Sequence, residues 1–490
     1  MFKYLIKKYY IYSISIGLSK LCILILLLSG FNLYFSDGSE KKSLNILFIS
    51  IDDLRNDLGS LGVTHIYTPH LDSFADESRL FSRHFVQVPT CGSSRAALLR
   101  GKRAVDPIYL PNTAILDTYT KWRERSLPGW FRQHGYQTFS LGKISHYPGG
   151  LTGNSWSEGP EELPGVWDRS WVPESPWDTP EDMMHGYVNG QPRERGKSPA
   201  WESFDGGDDS YPDGWIANEA VEVLEQLSKG DVPWFFAVGF FKPHLPFAAP
   251  QSYFDIYDSK DIPEPENNER PSSPSSWHGS GEMLNNYGHP SDPRRDTDYA
   301  RKLRHAYHAA TSYVDAQVGK LLETVKRLEL DKNTIVVISS DHGFALGEHG
   351  IWGKHSLYEV ALKTPLFIQY PGMSNPGISS NAIVESVDLF PTLTDLAGLP
   401  TPEGLHGNSL RKQLDDPQAA SQKAAYAHWT RGQATVRDEE WRLIVHRPEG
   451  VVEGYELFNF LENENGVRID PDNHPAIVKE LLRKIHTQPE

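Results

Sequence analysis

Four apolar runs in this chain end in side chains that can bind a cation, hold an anion or move a proton. "NILFIS" leads into Ile51-Asp52-Asp53, and "TIVVISS" into Asp341-His342-Gly343. "WFFAVGFF" is followed by Lys242-Pro243-His244, and "YQTFSLG" by Lys143-Ile144-Ser145-His146. Asp52, Asp53, Asp341 and His342 offer three carboxylates and an imidazole. Such a hard-oxygen set suits Ca²⁺ or Mg²⁺, whereas zinc would bring more His or Cys. Each Asp pair alone reads equally as a helix N-cap after a strand. Two pairs on separate strands favour a metal.

A fifth feature is "VPTCGSSRAALLRGKR", which holds Cys91, one of two cysteines in 490 residues. "RAALLRG" is a strong helix former, so Cys91 stands at a helix N-terminus, where backbone N–H groups and the dipole favour an anion. The residues leave two readings of it, a low-pKa thiolate nucleophile or a small buried core residue. Acyl transfer would need a base with an orienting partner. The histidines here are set among lysines and a cation cluster, which better suits stabilising a multiply charged oxyanion.

The elements that must position these groups alternate apolar runs with helical patterns from residue 45 onward, the mark of a mainly parallel α/β sheet. In such sheets ligands sit beyond the carboxyl ends of the strands, so the four endings are expected to converge. Residues 301–329 predict an amphipathic helix with Leu303, Ala306, Ala310, Tyr313, Val314, Leu321 and Val325 on one face. His305 and His308 on it read as polar flanks rather than ligands. Residues 148–213, rich in Gly, Pro, Trp and Asp, and 258–298, polar and rich in Pro and Ser, read as long surface insertions of the kind that shape a substrate pocket. Beyond residue 400 the texture becomes "AYAHWT", "QATVRD", "EWRLIVHR" and "GYELFNF", four short strands, then a helix near 474–486. The expected organisation is a catalytic domain over 43–400 and a small antiparallel sheet with a helix over 401–490.

A net charge of −16 argues against a nucleic acid partner, because long-range attraction to a polyanion is lost. The 13 Trp and 22 Tyr fit sugar-stacking surfaces and a Trp-rich core equally well. The N-terminus pairs a basic stretch, "MFKYLIKKYY", with "LCILILLLSG", the layout of a secretory signal or, second, an N-terminal anchor. Lys20 interrupts the apolar stretch and favours a cleaved signal without stable membrane insertion. With residues 1–42 outside the fold, Cys91 is left without a disulfide partner. No Asn-x-Ser/Thr acceptor occurs, which turns the export reading toward a bacterial periplasm or secretion rather than a lysosome.

Cys91-Gly92-Ser93-Ser94-Arg95 with "AALLRGKR" resembles the sulfatase signature C-x-P-S-R-x-x-x-L-x-G-R, with Ser93 where the signature has Pro. The resemblance extends from about residue 45 to 460 through "ISIDDLR", "LGKISHYPGG", "FFKPHLPF", "SSDHGFALGEHGIWGKHSLYEVALKTPL" and "VDLFPTLTDLAGL". Within that family the K-x-x-H spacing of 143–146, the Lys-Pro-His-x-Pro-Phe run and "GEHGIWGK" are most similar to the iduronate-2-sulfatase group. It implies an alkaline-phosphatase-like fold, with a mainly parallel or mixed central sheet flanked by helices. It also implies that a maturation enzyme converts Cys91 to formylglycine, whose hydrate attacks sulfur while Ca²⁺ on Asp52, Asp53, Asp341 and His342, at the residue-91 position, polarises a sulfate oxygen. By the same resemblance Arg95 holds the hydrate, and Lys143 with His146 orients it and helps expel sulfate. His244 protonates the leaving sugar alcohol, with Lys354 beside it on the sulfate and Lys242 in a binding role. The expected reaction is hydrolysis of a sulfate ester on a uronic-acid-containing glycan. Two alternatives stay open: a phosphomonoester or phosphonate-ester hydrolase on the same scaffold, and a non-catalytic glycan-binding relative with an unmodified Cys91.

Overall fold

Asn45–Ile51 is buried along its whole length, and so are Trp234–Phe240 and Thr334–Ser340. Continuous apolar runs of this kind form strands covered on both faces. In the computed structural model, which describes residues 43–490 apart from 153–158, Glu266, His278, 421–423, Arg431, 448–449, Glu462, 464–465 and 489–490, these three lie side by side. The signal-or-anchor reading of 1–42 falls outside the described residues. Chain order gives β1 (Asn45–Ile51), β2 (Arg79–Phe85), β3 (Gln137–Gly142), β4 (Arg169–Trp171), β5 (Trp234–Phe240), β6 (Thr334–Ser340), β7 (Lys363–Gln369) and β8 (Ser380–Glu385). They assemble as β8-β2-β7-β6-β1-β5-β3-β4. β7 runs antiparallel to both its neighbours, β2 and β6. The other pairings are parallel. The sheet is therefore mixed, with one reversed strand.

Side chains of a strand alternate between faces, and each face here has its own core. Leu47, Ile49, Phe236, Val238, Val336 and Ile338 pack against two helices, α2 (Pro212–Leu227) and α3 (Thr297–Arg327). Ile46, Phe48, Phe235, Ala237, Ile335 and Val337 pack on the other face against α1 (Cys91–Arg100) and the helix Leu389–Leu396. The face expected on the 301–329 helix is buried throughout. Asp296 caps α3 by accepting a hydrogen bond from the Tyr299 amide at 3.0 Å.

The C-terminal region forms a five-stranded antiparallel sheet, Ala425–Trp429, Gln433–Arg437, Trp441–His446, Gly454–Asn459 and Val467–Ile469, in sequential order. Helix α4 (Pro475–His486) lays Val478, Leu481 and Ile485 on Val436, Leu443 and Val445. The fifth strand was not expected; at three residues it is too short to display an alternation.

The two insertions differ from their expectation as surface loops. Residues 148–213 contribute β4 to the edge of the central sheet and Trp201–Phe204, which pairs in parallel with Phe247–Pro250. Trp171, Trp177 and Met183 from this stretch join the core under α2 and α3. Residues 258–298 sink Met283 and Tyr287 into a third cluster with α3. Irregular, Gly/Pro-rich backbone hides the periodicity of a core segment without removing its apolar payload. Trp177 is 1% exposed and donates from Nε1 to the Tyr187 carbonyl at 3.0 Å. Trp177→Ala is expected to cost about 3–5 kcal/mol of stability in denaturant unfolding; a loss within about 0.5 kcal/mol, the range of an ordinary surface substitution, would mean the insertion is not core.

Candidate active site

The carboxyl ends of β1, β3, β5 and β6 open on one buried cluster, and α1 points its first turn into it. Its N-cap, Thr90, uses its hydroxyl to reach Asn112 Oδ1 at 3.0 Å, and the same oxygen accepts the Gly92 amide at 2.9 Å. A Cβ on Gly92 would fall 2.0 Å from the Asn112 carbonyl oxygen, so only glycine fits beside Cys91. Ser93 Oγ donates to the Tyr109 carbonyl at 2.6 Å, a bond that proline could not make. Ser94 Oγ donates to the Asp341 carbonyl at 2.6 Å and ties α1 to the end of β6.

Arg95 bridges the carboxylates, with Nε 2.9 Å from Asp341 Oδ2 and an η nitrogen 3.1 Å from Asp52 Oδ1. The other η nitrogen donates to the carbonyls of Lys143 and Ile144. The ammonium of Lys143 pairs with Asp52 Oδ2. Asp53 adopts φ +62°, a left-handed conformation uncommon outside glycine, and its amide donates to Asp341 Oδ1 at 3.1 Å. His342 lies between, Nδ1 3.2 Å from Asp53 Oδ1 and Nε2 3.2 Å from Cys91 Sγ. Lys354 Nζ is 3.1 Å from Asp53 Oδ1 and 3.3 Å from Cys91 Sγ. Three carboxylates and three cations are thus almost wholly buried together, the balance a low-dielectric site requires. Burial works to raise Asp52, but Lys143, His244, Arg95 and Lys354 outweigh it and hold the carboxylate well below its ordinary range.

One ligand atom each from Asp52, Cys91, Asp341 and His342 lies within 4.8 Å of the others. Two carboxylates, an imidazole and the residue-91 position fit a metal ion, with Asp53 on the far side of His342 outside this four-atom group.

Cys91 is 2% exposed, and burial pushes its thiol up to about 12 although Lys143 and Lys354 act to lower it. At neutral pH it is a thiol, which removes the low-pKa thiolate reading. The structure does supply what the sequence did not suggest, a histidine on Cys91 oriented by a carboxylate, in the line Cys91–His342–Asp53. That line lies inside the metal cluster, where binding a cation would take up both His342 and Asp53.

His146 is half-buried, but its Nδ1 is shut off from solvent without a hydrogen-bond partner, and desolvation followed by the charge of Lys143 lowers it well below its usual value. His244 faces the cluster from the turn after β5. Its Nδ1 lies 2.8 Å from the Leu245 carbonyl and its Nε2 3.4 Å from Glu282 Oε1. Both neighbours are acceptors, so only the doubly protonated ring satisfies them, while burial and then Lys354 lower the group to about 4. Lys242 differs from its expected binding role. Its ammonium donates to the carbonyls of His244 at 3.1 Å and Pro246 at 2.7 Å, and so holds the turn that presents His244.

Glu282 is the residue that sequence reasoning missed. From a short helix in the 258–298 insertion, its Oε1 also reaches Lys354 at 2.9 Å. Burial raises it, but Lys354 and the hydrogen bond to His244 prevail and hold it well below the carboxylate range. An acidic residue in a Pro/Ser-rich stretch carries no signal of its own.

The family model described as Sulfatase matches residues 44–399. This chain belongs to the sulfatase family. It is a hydrolase of sulfuric esters. A second model, the C-terminal region of N-sulphoglucosamine sulphohydrolase, matches residues 347–489. The sulfatase is 33% identical to iduronate 2-sulfatase of Mus musculus over 410 residues, covering 74% of this chain and 70% of that one. It is 30% identical over 467 residues to a sulfatase of Formosa agariphila, covering 88% and 85%. Among solved structures, the phosphonate monoester hydrolase of Agrobacterium radiobacter superposes with a TM-score of 0.73 at 20% identity, covering 91% of this chain and 95% of that one. A protein solved with its substrate D-glucosamine-2-N,6-O-disulfate does so at 0.68 and 22%, covering 91% and 97%. At these identities the two structures establish the shared alkaline-phosphatase-like fold.

The buried thiol makes a direct prediction. In folded protein carrying an unconverted Cys91, iodoacetamide at pH 8 should leave the thiol unmodified, with alkylation appearing only on denaturation; equal rates in both states would contradict the burial and raised pKa.

Proposed function

We infer that this sulfatase removes sulfate from a sulfated sugar, with Cys91 in its formylglycine form and Ca²⁺ held by Asp52, Asp53, Asp341 and His342 at the position of residue 91. The observation that carries the reading is the meeting of these carboxylates and imidazole with Lys143, Lys354 and Arg95 around Cys91 at the start of α1. When present, the hydrated formylglycine supplies the nucleophile and the cation polarises a sulfate oxygen. The chain's own residues do the rest. Arg95 orients the carboxylates and the start of α1. Burial acts to lower Lys143 and Lys354, but their acidic neighbours, Asp52 foremost for the first and Asp53 foremost for the second, together outweigh it and keep both charged, and they hold the sulfate oxygens. His146, neutral and with a free Nδ1, is a base placed to take a proton as sulfate departs. His244 Nε2 gives a proton to the leaving sugar oxygen, and Glu282 opposite that nitrogen supports the protonated ring.

Maturation must reach Cys91 before it is buried, and the Ser93 bonds to the 109–111 turn support a chain adapted to serine in place of proline. A cleft of about 620 Å³ beside Glu282, lined in part by Arg270, Trp277, His289 and Arg294, supports a sugar site on the leaving-group side. An exposed guanidinium such as Arg270 suits the carboxylate of a uronic acid. Export to a periplasm or beyond is the reading of the N-terminal segment.

Two experiments test this. Mass spectrometry of the Cys91 peptide from the native host should find formylglycine, and the enzyme should release inorganic sulfate from sulfated uronate oligosaccharides. A thiol throughout, or release of phosphate from phosphate esters in preference to sulfate, would overturn the reading. In the second, His244→Ala should slow sugar sulfates by about 10²–10⁴-fold and activated aryl sulfates far less. Glu282→Gln should follow the same pattern at about tenfold; equal losses on both substrate classes would remove the pair from the acid role.

A further inference from the structure

A second cluster of metal-ligating side chains lies outside the catalytic site. Asp57 and His65 flank the short 3-10 turn Gly59–Leu61 that follows the Asp52–Asp53 pair, and His308 faces them from the middle of α3. One ligand atom from each lies within 4.8 Å of the other two. The rings of His65 and His308 stand 5.4 Å apart at 32°. His308 is 2% exposed, and its Nδ1 has no hydrogen-bond partner. A buried polar nitrogen without a partner costs about 1–3 kcal/mol, so leaving one on a helix that any apolar residue would fill calls for a reason.

We propose that Asp57, His65 and His308 form a second divalent-cation site, built for zinc, that fastens the segment after the catalytic Asp52–Asp53 pair to α3. Two imidazoles and a carboxylate are a zinc-type donor set, distinct from the oxygen-rich set at Asp52. Solvent can complete the coordination, because Asp57 and His65 are only half-buried. The charges around it permit a cation. Arg55 Nε holds Asp57 Oδ2 at 2.8 Å, which leaves the other carboxylate oxygen for the ion, and an Arg55 η nitrogen is spent on Glu348 Oε1 at 2.7 Å. Arg304, one turn before His308, feels the opposite charges of Glu264 and Glu348 without pairing directly, and its Nε and one η nitrogen have no hydrogen-bond partner. His305 is turned away and bonds the Phe254 carbonyl through Nε2 at 2.9 Å. Burial lowers both ligand histidines, toward the neutral form that binds metal, and the charge of Arg55 acts in the same direction on each.

The test is equilibrium dialysis of the full chain against micromolar Zn²⁺, with bound zinc counted by inductively coupled plasma mass spectrometry. Wild-type protein should hold one equivalent more than His65→Ala, whose affinity at this site should fall at least tenfold, and Zn²⁺ should raise the melting temperature of the wild type more than that of the variant. Any zinc at the Asp52–Cys91–Asp341–His342 cluster is common to both proteins and cancels. His65 is half-exposed, so its replacement leaves the fold intact; His308→Phe, similar in volume, repeats the measurement from the buried side. Equal zinc content and equal thermal shifts in wild type and His65→Ala would overturn the proposal.

Discussion

The guanidinium of Arg95 ties together both strand-end pairs of the buried cluster, holding Asp341 with Nε and Asp52 with an η nitrogen. Its remaining donors go to the backbone after β3. Three strand ends are therefore joined through a single planar side chain whose five N–H groups match carboxylate and carbonyl geometry. Lysine at this position could not join them, because a point charge on a flexible stem fixes no angle. Because Arg95 sits one turn into α1, the same contacts fix where Cys91 points.

Everything else at the site follows from burying that many charges together. Carboxylates this deep survive only beside cations, and the cations only beside carboxylates. Lys143 and Lys354 are consequently held charged at the place where a sulfate would need them. At Cys91 burial outweighs the nearby charges of Lys143 and Lys354, and the group is held toward the thiol form. His146 and His244 are driven toward the neutral form by burial, yet their partners differ. His146 keeps a free nitrogen, while Glu282 stands opposite Nε2 of His244. That difference in partners is what supports assigning the proposed base role to His146 and the proposed acid role to His244.

The two insertions turn a generic sheet-end crevice into a walled one. The segment 148–213 adds an edge strand and three large core side chains, so it cannot swing as a free loop. The segment 258–298 brings Glu282 against His244 and Lys354 and lines the adjoining cleft. On the proposed function, reaction chemistry falls to the sheet and α1 and sugar recognition to the insertions, the parts of a fold most free to vary.

The sequence alone was enough for the sheet, because continuous buried strands and an amphipathic helix are written in local periodicity. It also sufficed for Asp52, Asp53, Arg95, Lys143, His146, His244, Asp341, His342 and Lys354 as candidates, because each stands at a strand end or in a short motif. Convergence of strand ends is a property of parallel sheets that needs no coordinates. What periodicity could not show was anything set by pairing across long separations. The contact of Glu282 with His244 and Lys354, the turning of Lys242 onto the His244 and Pro246 carbonyls, and the approach of His308 to Asp57 and His65 join residues whose neighbourhoods look like solvent-facing chain. Only the packed structure decides those, since a polar side chain carries the same local pattern whether it meets water or another buried polar group.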